Sequence, residues 1–247
     1  MPPQHADATP RPPEDFSSVL ATKEPVLLVG GQAVNLWALY YHEHTAGLEP
    51  FVSRDLDVLG TRETLETLAK LVGARPQFFP LRPPSNEIGV VIAKDRDGNA
   101  MLVEVLRYVN GVTNDELRET VYTVALGDAK VQLPSPIVLL QAKIANVIEL
   151  DQTDRHDERH VRILARLMPA YLADLKQSAA EGRIEERGLI DALEQLLRVV
   201  TSATGKKAFA RLEIGRRRLF DGLENDALPK VRAFVEKRLP RALPSQP

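Results

Sequence analysis

Apolar residues in the first half of the chain occur in short runs separated by turn-forming residues. The runs cover residues 26–29, 51–59, 88–93 and 101–106, and runs of this length bounded by Gly, Pro and Asp are typical of strands. Residues 32–41 and 61–72 instead place apolar side chains three and four positions apart, which predicts helices. The turn-rich segment 95–99 predicts a hairpin between the third and fourth strands. Residues 120–125 and 130–133 form a weaker strand pair.

The second half has helical periodicity only. Ser135 followed by Pro136 is typical of a helix start, and helices are predicted over residues 135–150, 157–175, 188–201, 206–219 and 228–239. We therefore predict an α/β (α+β) protein in which a mixed-sheet core with flanking helices precedes a C-terminal helical bundle. The predicted divisions are a flexible proline-rich extension at residues 1–15, a core domain at 16–133 and a helical domain at 134–247.

Composition excludes several classes of protein. The 247 residues are 44% hydrophobic and 27% charged, with a net charge of −2 and no cysteine. Disulfides and thiolate metal sites are therefore excluded, and any nucleic-acid contact must be local because the chain has no overall positive charge. An apolar segment long enough to span a bilayer and an apolar signal sequence are both absent from the sequence. We expect a soluble, cytoplasmic protein without membrane contact.

The candidate chemistry is concentrated around the first two predicted strands. Gly30 and Gly31 connect the first strand to a helix, and this junction can bind an anion through the unpaired backbone N–H groups of the helix start. Asp55 and Asp57 lie two positions apart on the next strand, so their side chains leave the same face, with Cα atoms about 6.6 Å apart. Such a pair suits one or two hard cations. The alternatives are a structural glycine turn and two solvent-facing acids on an edge strand.

Glu104 is the one charged residue within the apolar run 101–106. It could pair with Arg107 or Lys94 at the edge of the core. It could instead serve as a third metal ligand and as the base for an attacking hydroxyl.

Together these residues resemble the nucleotidyltransferase superfamily of the minimal, polymerase-beta-like type. More narrowly, Gly30-Gly31-Gln32-Ala33, Ser53-Arg54-Asp55-Leu56-Asp57 and the helix carrying Lys143 resemble the toxins of type IV toxin–antitoxin systems and their uncharacterised relatives. The resemblance covers residues 26–164. Many members have serine where this chain has Gly31, and aspartate is commoner than glutamate at the position of Glu104.

The resemblance implies transfer of a nucleoside monophosphate from an NTP to an acceptor. It implies that Mg²⁺ (or Mn²⁺) is held by Asp55, Asp57 and Glu104, and that the nucleotide contacts Gly30, Gly31, Gln32, Arg54 and Lys143. The acceptor could be an RNA or tRNA end, a protein or a small molecule, and an antitoxin protein is a possible partner. The alternative from another class is a nucleotide-binding or protein-binding module on the same fold without turnover.

Three other features have two interpretations each. Asp157 is equally compatible with a functional acid and with an acid at a helix start. The pairs His42/His44 and His156/His160 could each contribute to a zinc site, but we favour surface histidines because no third ligand is evident. Basic residues at 206–218 could contact an RNA backbone, but we favour a solvated helix face.

Overall fold

Seven strands within the described residues form one mixed sheet in the computed structural model. The structure describes residues 9–80, 82, 85–95, 97–224 and 228–244. The strands are β1 (Val26–Val29), β2 (Asp55–Leu59), β3 (Gln77–Phe78), β4 (Glu87–Lys94), β5 (Ala100–Leu106), β6 (Val121–Leu126) and β7 (Ala129–Pro134). Their order across the sheet is β3-β4-β5-β2-β1-β7-β6. The predicted α/β fold class is therefore confirmed.

Parallel and antiparallel pairs alternate near the centre of this sheet. Strand β2 runs antiparallel to β1 and parallel to β5, and β1 runs parallel to β7. The pairs β4–β5 and β6–β7 are antiparallel and follow directly in sequence, as the hairpin signals predict. Both flanks of β2 are thus covered by other strands, which fixes its register on two sides.

The helices of the described residues are distributed along the whole chain. They are α1 (Gly30–Tyr40), α2 (His42–Thr45), α3 (Arg62–Leu71), α4 (Asn114–Glu119), α5 (Pro136–Glu149), α6 (Asp157–Ala180), α7 (Glu186–Thr201), α8 (Ala203–Arg211), α9 (Pro229–Ala233) and α10 (Leu239–Ala242). Short 3₁₀ helices cover Pro13–Leu20 and Arg216–Phe220, and a π-helical turn covers Phe234–Arg238.

The chain divides into two units. The first contains the chain up to Tyr40 together with Gly47–Leu139, and the second contains Tyr41–Ala46 and the chain from Leu140 onward. The first unit holds the whole sheet. The second unit holds the long helices α6 and α7, whose buried side chains include Leu164 and Leu196.

Alternation along β2 decides which side chains face which layer. Leu56 and Val58 are fully buried, and successive side chains of a strand leave opposite faces, so Asp55 and Asp57 leave the face opposite to these two apolar residues. Burying two such apolar side chains contributes about 1.5–3 kcal/mol each. A slip by one residue would expose both and bury the two aspartates, so the register of β2 is strongly specified.

Some boundaries differ from the prediction. The second strand begins at Asp55 rather than at residue 51, because Ser53 is paired instead with Arg11. The helix predicted over residues 206–219 ends at Arg211, where Glu213 adopts a positive φ of 56°. The sequence analysis did not predict α4, although Thr113 and Glu116 form a capping box at its start.

The predicted flexible extension is corrected in its described part. Residues 1–8 lie outside the described residues. Beyond them, Arg11 forms an antiparallel bridge with Ser53, and a 3₁₀ helix begins at Pro13, with Phe16 fully buried. The sequence does not reveal this order, because prolines are frequent and large apolar residues are absent before Phe16, whereas the segment is held by the burial of Pro13 and Phe16 and by the backbone pairing of Arg11.

The basic residues near the C-terminus bind helix ends. Arg211 donates from Nη1 to the carbonyl of Val147 at 3.2 Å, and Arg216 donates from Nη1 to the carbonyl of Val200 at 3.2 Å. Val147 and Val200 lie in the last turns of α5 and α7, and carbonyls in the last turn of a helix have no hydrogen-bond donor within that helix. Arg211 is still 49% exposed, as the favoured interpretation of a solvated face expects, whereas Arg216 is only partly exposed. No described helix is long and apolar enough to cross a membrane.

Candidate functional site

Three carboxylates share one face of the sheet in the first unit. Asp57 on β2 is the register partner of Glu104 on the parallel strand β5, and Asp55 lies two residues before Asp57 on the same face. Register partners on neighbouring strands carry side chains on the same side of the sheet. The structure therefore brings together the three acids that the sequence analysis selected.

The glycine turn lies directly against one of these acids. Val29, the last residue of β1, pairs with Asp57, and Gly30 follows with a φ of +66° at the start of α1. A Cβ atom placed on Gly30 would lie 1.7 Å from Oδ2 of Asp57. Glycine is thus required here for two reasons, the left-handed backbone and the close approach of a carboxylate.

Glu104 has a strongly perturbed acidity. Burial raises its pKa to about 8, with further contributions from the negative charges of Asp57, Asp55 and Glu87. Glu104 forms no salt bridge to any described residue, and Arg107, one of its alternative partners, donates to the carbonyl of Glu87 at 2.9 Å. A buried acid surrounded by like charges is a common feature of functional sites.

The donor set suits a hard divalent cation, because it consists of carboxylate oxygens only. Within the described ranges, however, no group of three or more His, Cys, Asp or Glu side chains is arranged as a ligand set for a metal ion. These two observations agree if few protein ligands are required. Mg²⁺ usually binds one or two carboxylates and completes its shell with water and substrate phosphates.

Ser53 and Gln32 belong to the same region. Oγ of Ser53 donates to Oδ1 of Asp55 at 2.9 Å, a contact that the sequence analysis did not identify. Gln32 was expected to contact nucleotide. Its side chain is instead fully buried and donates to the carbonyl of Arg11 at 2.9 Å.

Three further residues, Gly31, Arg54 and Lys143, were also expected to bind nucleotide. Gly31 is buried in the first turn of α1. Arg54 is exposed and precedes the first residue of β2. Lys143 belongs to the second unit, where Nζ forms an ion pair with Oδ1 of Asp157 at 2.8 Å.

Asp157 is the centre of a buried polar cluster in the second unit. Besides Lys143, Asn146 donates to Oδ1 at 3.2 Å and Arg155 donates to Oδ2 at 2.7 Å. The positive charge of Lys143 and these hydrogen bonds hold the pKa of Asp157 well below its usual range, against the opposing effect of burial. Asp157 therefore lies at the start of α6, as one of the two interpretations predicts, and its charge is also neutralised by Lys143 and Arg155.

His160 corrects the interpretation of the histidines as surface residues. It is 5% exposed, and burial, reinforced by the charge of Lys143, lowers the pKa of its imidazole well below the usual value. Within the described part of the chain, its Nδ1 has no hydrogen-bond partner. His42, His44 and His156 are exposed, as expected.

A separate cavity of about 630 Å³ opens at the other end of β1. It is lined by Val26 at the start of β1, by Thr61 and Thr64 at the start of α3, and by Arg118 of α4. The acids lie beside the opposite end of β1, next to Gly30. The cavity is therefore distinct from the carboxylate site.

Comparison with known proteins identifies distant structural similarities only. No protein-family profile and no curated protein sequence matches the chain. A crystal structure of an antigenic nucleotidyltransferase-like protein from Paracoccidioides brasiliensis has 17% identity and a TM-score of 0.40, covering 64% of this chain and 79% of that chain. JHP933 from Helicobacter pylori has 15% identity and a TM-score of 0.38, covering 92% of this chain and 90% of that one.

The close approach at Gly30 predicts a substitution effect larger than backbone strain. We expect Gly30→Ala to cost more than the roughly 1–2 kcal/mol of a left-handed alanine, because the new methyl group must displace the Asp57 carboxylate. Gly73→Ala is the matched control, with a φ of +64° and no atom within 4 Å of an added Cβ. Denaturant unfolding measures both. Equal losses for the two variants would contradict the close approach.

The raised pKa of Glu104 predicts a pH-dependent stability for the metal-free protein. The folded pKa of about 8 exceeds the reference value of 4.5, so the contribution of Glu104 is fully present below pH 4.5 and is lost as pH rises through 8. The loss is at most about 1.4 kcal/mol per pH unit. Glu104→Gln should remove this component from the unfolding free energy, whereas Glu66→Gln on the surface of α3 should keep it. Parallel curves for wild type and Glu104→Gln would refute the assignment.

The cluster around Asp157 predicts a large stability effect in the second unit. Asp157→Asn leaves the buried Lys143 ammonium without its countercharge, and breaking a buried pair in this way costs about 3–5 kcal/mol. Asp191→Asn is the control, since Asp191 pairs with Arg187 through a side chain that is 65% exposed, and such pairs contribute about 0–1 kcal/mol. Unfolding free energies should separate the two variants clearly, and similar values would exclude the buried pair as a major contributor.

Proposed function

We propose that the first unit is a metal-dependent nucleotidyltransferase, which moves a nucleoside monophosphate from an NTP to an acceptor hydroxyl. The observation that carries this proposal is the placement of Asp57 between Gly30 and Glu104. A helix start of the kind that can bind an anion, a carboxylate of the kind that can bind a cation, and a buried acid with a raised pKa thereby lie on neighbouring chain segments.

The start of α1 would bind the triphosphate. The first N–H groups of a helix have no acceptor within that helix, and the helix dipole adds positive potential at this end. Gly30 is half-buried and has no Cβ atom, so a phosphate oxygen, or a cation held between that phosphate and Asp57, could approach its backbone closely. The buried side chain of Gln32 donates a hydrogen bond to the carbonyl of Arg11 and so connects the start of α1 to the N-terminal segment.

Asp55 and Asp57 would hold Mg²⁺ or Mn²⁺, and water and substrate phosphates would complete the shell of the cation. The cation would neutralise phosphate charge and favour ionisation of the acceptor hydroxyl. In the reaction, the acceptor oxygen forms a bond to the α-phosphorus, the bond from that phosphorus to the bridging oxygen breaks, and pyrophosphate leaves. Glu104, the register partner of Asp57, would take up the hydroxyl proton.

The proposal also includes the class of the acceptor and a biological role. An RNA or tRNA end, a protein hydroxyl or a small molecule would each supply the required oxygen nucleophile. The resemblance of the Gly30-Gly31 and Asp55-x-Asp57 segments to type IV toxins supports a toxin role with an antitoxin partner. Under that role, expression of the active protein would arrest growth.

Asp57→Asn tests the proposal directly. We expect this variant to lose at least about 10³-fold of its transfer rate, because it removes a charged metal ligand on which the reaction depends. The measurement incubates the protein with each labelled NTP, Mg²⁺ or Mn²⁺, and total cellular RNA and protein, and follows label incorporation and pyrophosphate release. Asp97→Asn, an exposed change in the β4–β5 turn of the same unit, is the matched control and should keep full activity.

The other outcomes distinguish the alternatives. Full activity in Asp57→Asn would disprove the metal assignment. Equilibrium binding of Mg·NTP by the wild type without pyrophosphate release from any acceptor pool would favour a binding module without turnover. Growth arrest by the wild type and not by Asp57→Asn would support the toxin role, and harmless expression in the native host would oppose it.

A further inference from the structure

We infer that Ser53 is a positioning residue for the metal-binding carboxylate of Asp55, and that the N-terminal segment around Arg11 holds Ser53 in place. This inference rests on the proposed function, since it concerns how one of the proposed ligands is oriented. It gives a specific role to Ser53, which the sequence analysis named only as part of the segment 53–57, and to an N-terminal segment that the sequence analysis did not connect with the site.

The first step is the contact between Ser53 and Asp55. Oγ of Ser53 donates to Oδ1 of Asp55 at 2.9 Å. A hydrogen bond to one carboxylate oxygen fixes the rotation of the group and leaves the other oxygen, Oδ2, for a cation. Hydrogen-bond partners of this kind orient ligands in known metal sites, and their loss typically reduces metal affinity or activity by about 10–100-fold.

The second step is the anchoring of Ser53 itself. Ser53 precedes β2, so the sheet ladder does not fix it. Its backbone is instead paired with Arg11 by two hydrogen bonds, from Arg11 N to Ser53 O at 2.9 Å and from Ser53 N to Arg11 O at 3.0 Å. Residue 11 therefore supplies the pairing that Ser53 lacks from the strands.

The third step is the support of this bridge from α1. Nε2 of Gln32 donates to the carbonyl of Arg11 at 2.9 Å and lies 3.5 Å from the carbonyl of Ser53. Asn35, one turn further along α1, donates to Oε1 of Gln32 at 3.1 Å. Both amide side chains are fully buried, so the bridge is held at a fixed position relative to the start of α1.

The guanidinium of Arg11 fixes the outer end of the segment. Nη1 of Arg11 is paired with Oδ2 of Asp95 at 2.7 Å in the β4–β5 turn and lies 3.8 Å from Oδ2 of Asp15. The Arg11 side chain is only 11% exposed, so this pair is less screened by solvent than a surface pair. The chain of contacts thus runs from Asp95 through Arg11 and Ser53 to the carboxylate of Asp55.

The test measures Mn²⁺ binding to the full-length metal-free protein by electron paramagnetic resonance, independently of turnover. We expect Ser53→Ala to weaken Mn²⁺ binding by about 10–100-fold, and Ser53→Thr, which keeps the hydroxyl, to bind close to wild type. In kinetic assays, Ser53→Ala should require more Mn²⁺ for half-maximal rate and should approach the wild-type kcat at saturating Mn²⁺. An unfolding curve for each variant verifies that the fold is intact.

A double-mutant cycle tests the contribution of Arg11. Arg11→Ala should also weaken Mn²⁺ binding, and the Arg11→Ala/Ser53→Ala double variant should bind no more weakly than Ser53→Ala alone, because both changes act through one contact. Arg62→Ala on the exposed face of α3 is the control and should bind like wild type. Fully additive losses would overturn the connection between Arg11 and Ser53.

The outcomes separate this inference from the proposed function. If the wild type binds Mn²⁺ and Asp57→Asn does not, the metal site stands, and unchanged binding by Ser53→Ala would then overturn only the positioning role. If the wild type binds no Mn²⁺ either alone or in the presence of NTP, the proposed function fails first. Weak binding by Ser53→Thr equal to that of Ser53→Ala would also refute the hydroxyl contact.

Discussion

The repulsion among carboxylates on one face of the sheet is the constraint on which the candidate site depends. Asp57 and Glu104 are register partners, Asp55 lies on the same face, and the pKa of Glu104 rises to about 8 as a result of burial and these charges. Folding such a group of acids together costs free energy in the absence of a cation. The apolar residues on the other face of β2, Leu56 and Val58, offset that cost because they hold the strand in register.

The turn at Gly30 determines what this negative charge can bind. It ends β1, the strand that pairs with Asp57, and it starts α1 with a positive φ. The N–H groups of the helix start and the carboxylates of β2 therefore lie next to each other, although one attracts anions and the other attracts cations. A metal–polyphosphate complex satisfies both preferences at once, whereas a simple anion or a simple cation satisfies only one.

The sequence predicted the parts of this arrangement that follow from local pattern. Strand alternation placed Asp55 and Asp57 on one face, the apolar run around Glu104 placed that acid on a strand, and the family resemblance implied that the three acids act together. The sequence did not predict that Gln32 is buried or that Arg11 pairs with Ser53, because these contacts join residues about twenty and forty positions apart through backbone carbonyls. Backbone acceptors are present at every residue, so their use leaves no mark in the sequence. The pairing of Lys143 with Asp157 was missed for a related reason, since each residue was interpreted without a candidate partner.

Asp157 and Glu104 are both buried acids, but their surroundings shift their pKa values in opposite directions. Around Asp157, Lys143 and Arg155 supply positive charge and the pKa of the acid falls, so this cluster is complete without any ligand. Around Glu104, no described residue forms a salt bridge to the carboxylate and its pKa rises, so the charge of this acid is not compensated by a salt bridge. A buried acid whose charge is already compensated serves the fold, and one whose charge is uncompensated is available for binding and catalysis. This contrast is the physical reason why the proposed reaction is placed at the glycine turn and the three acids beside it, and why Asp157 is proposed to have a structural role.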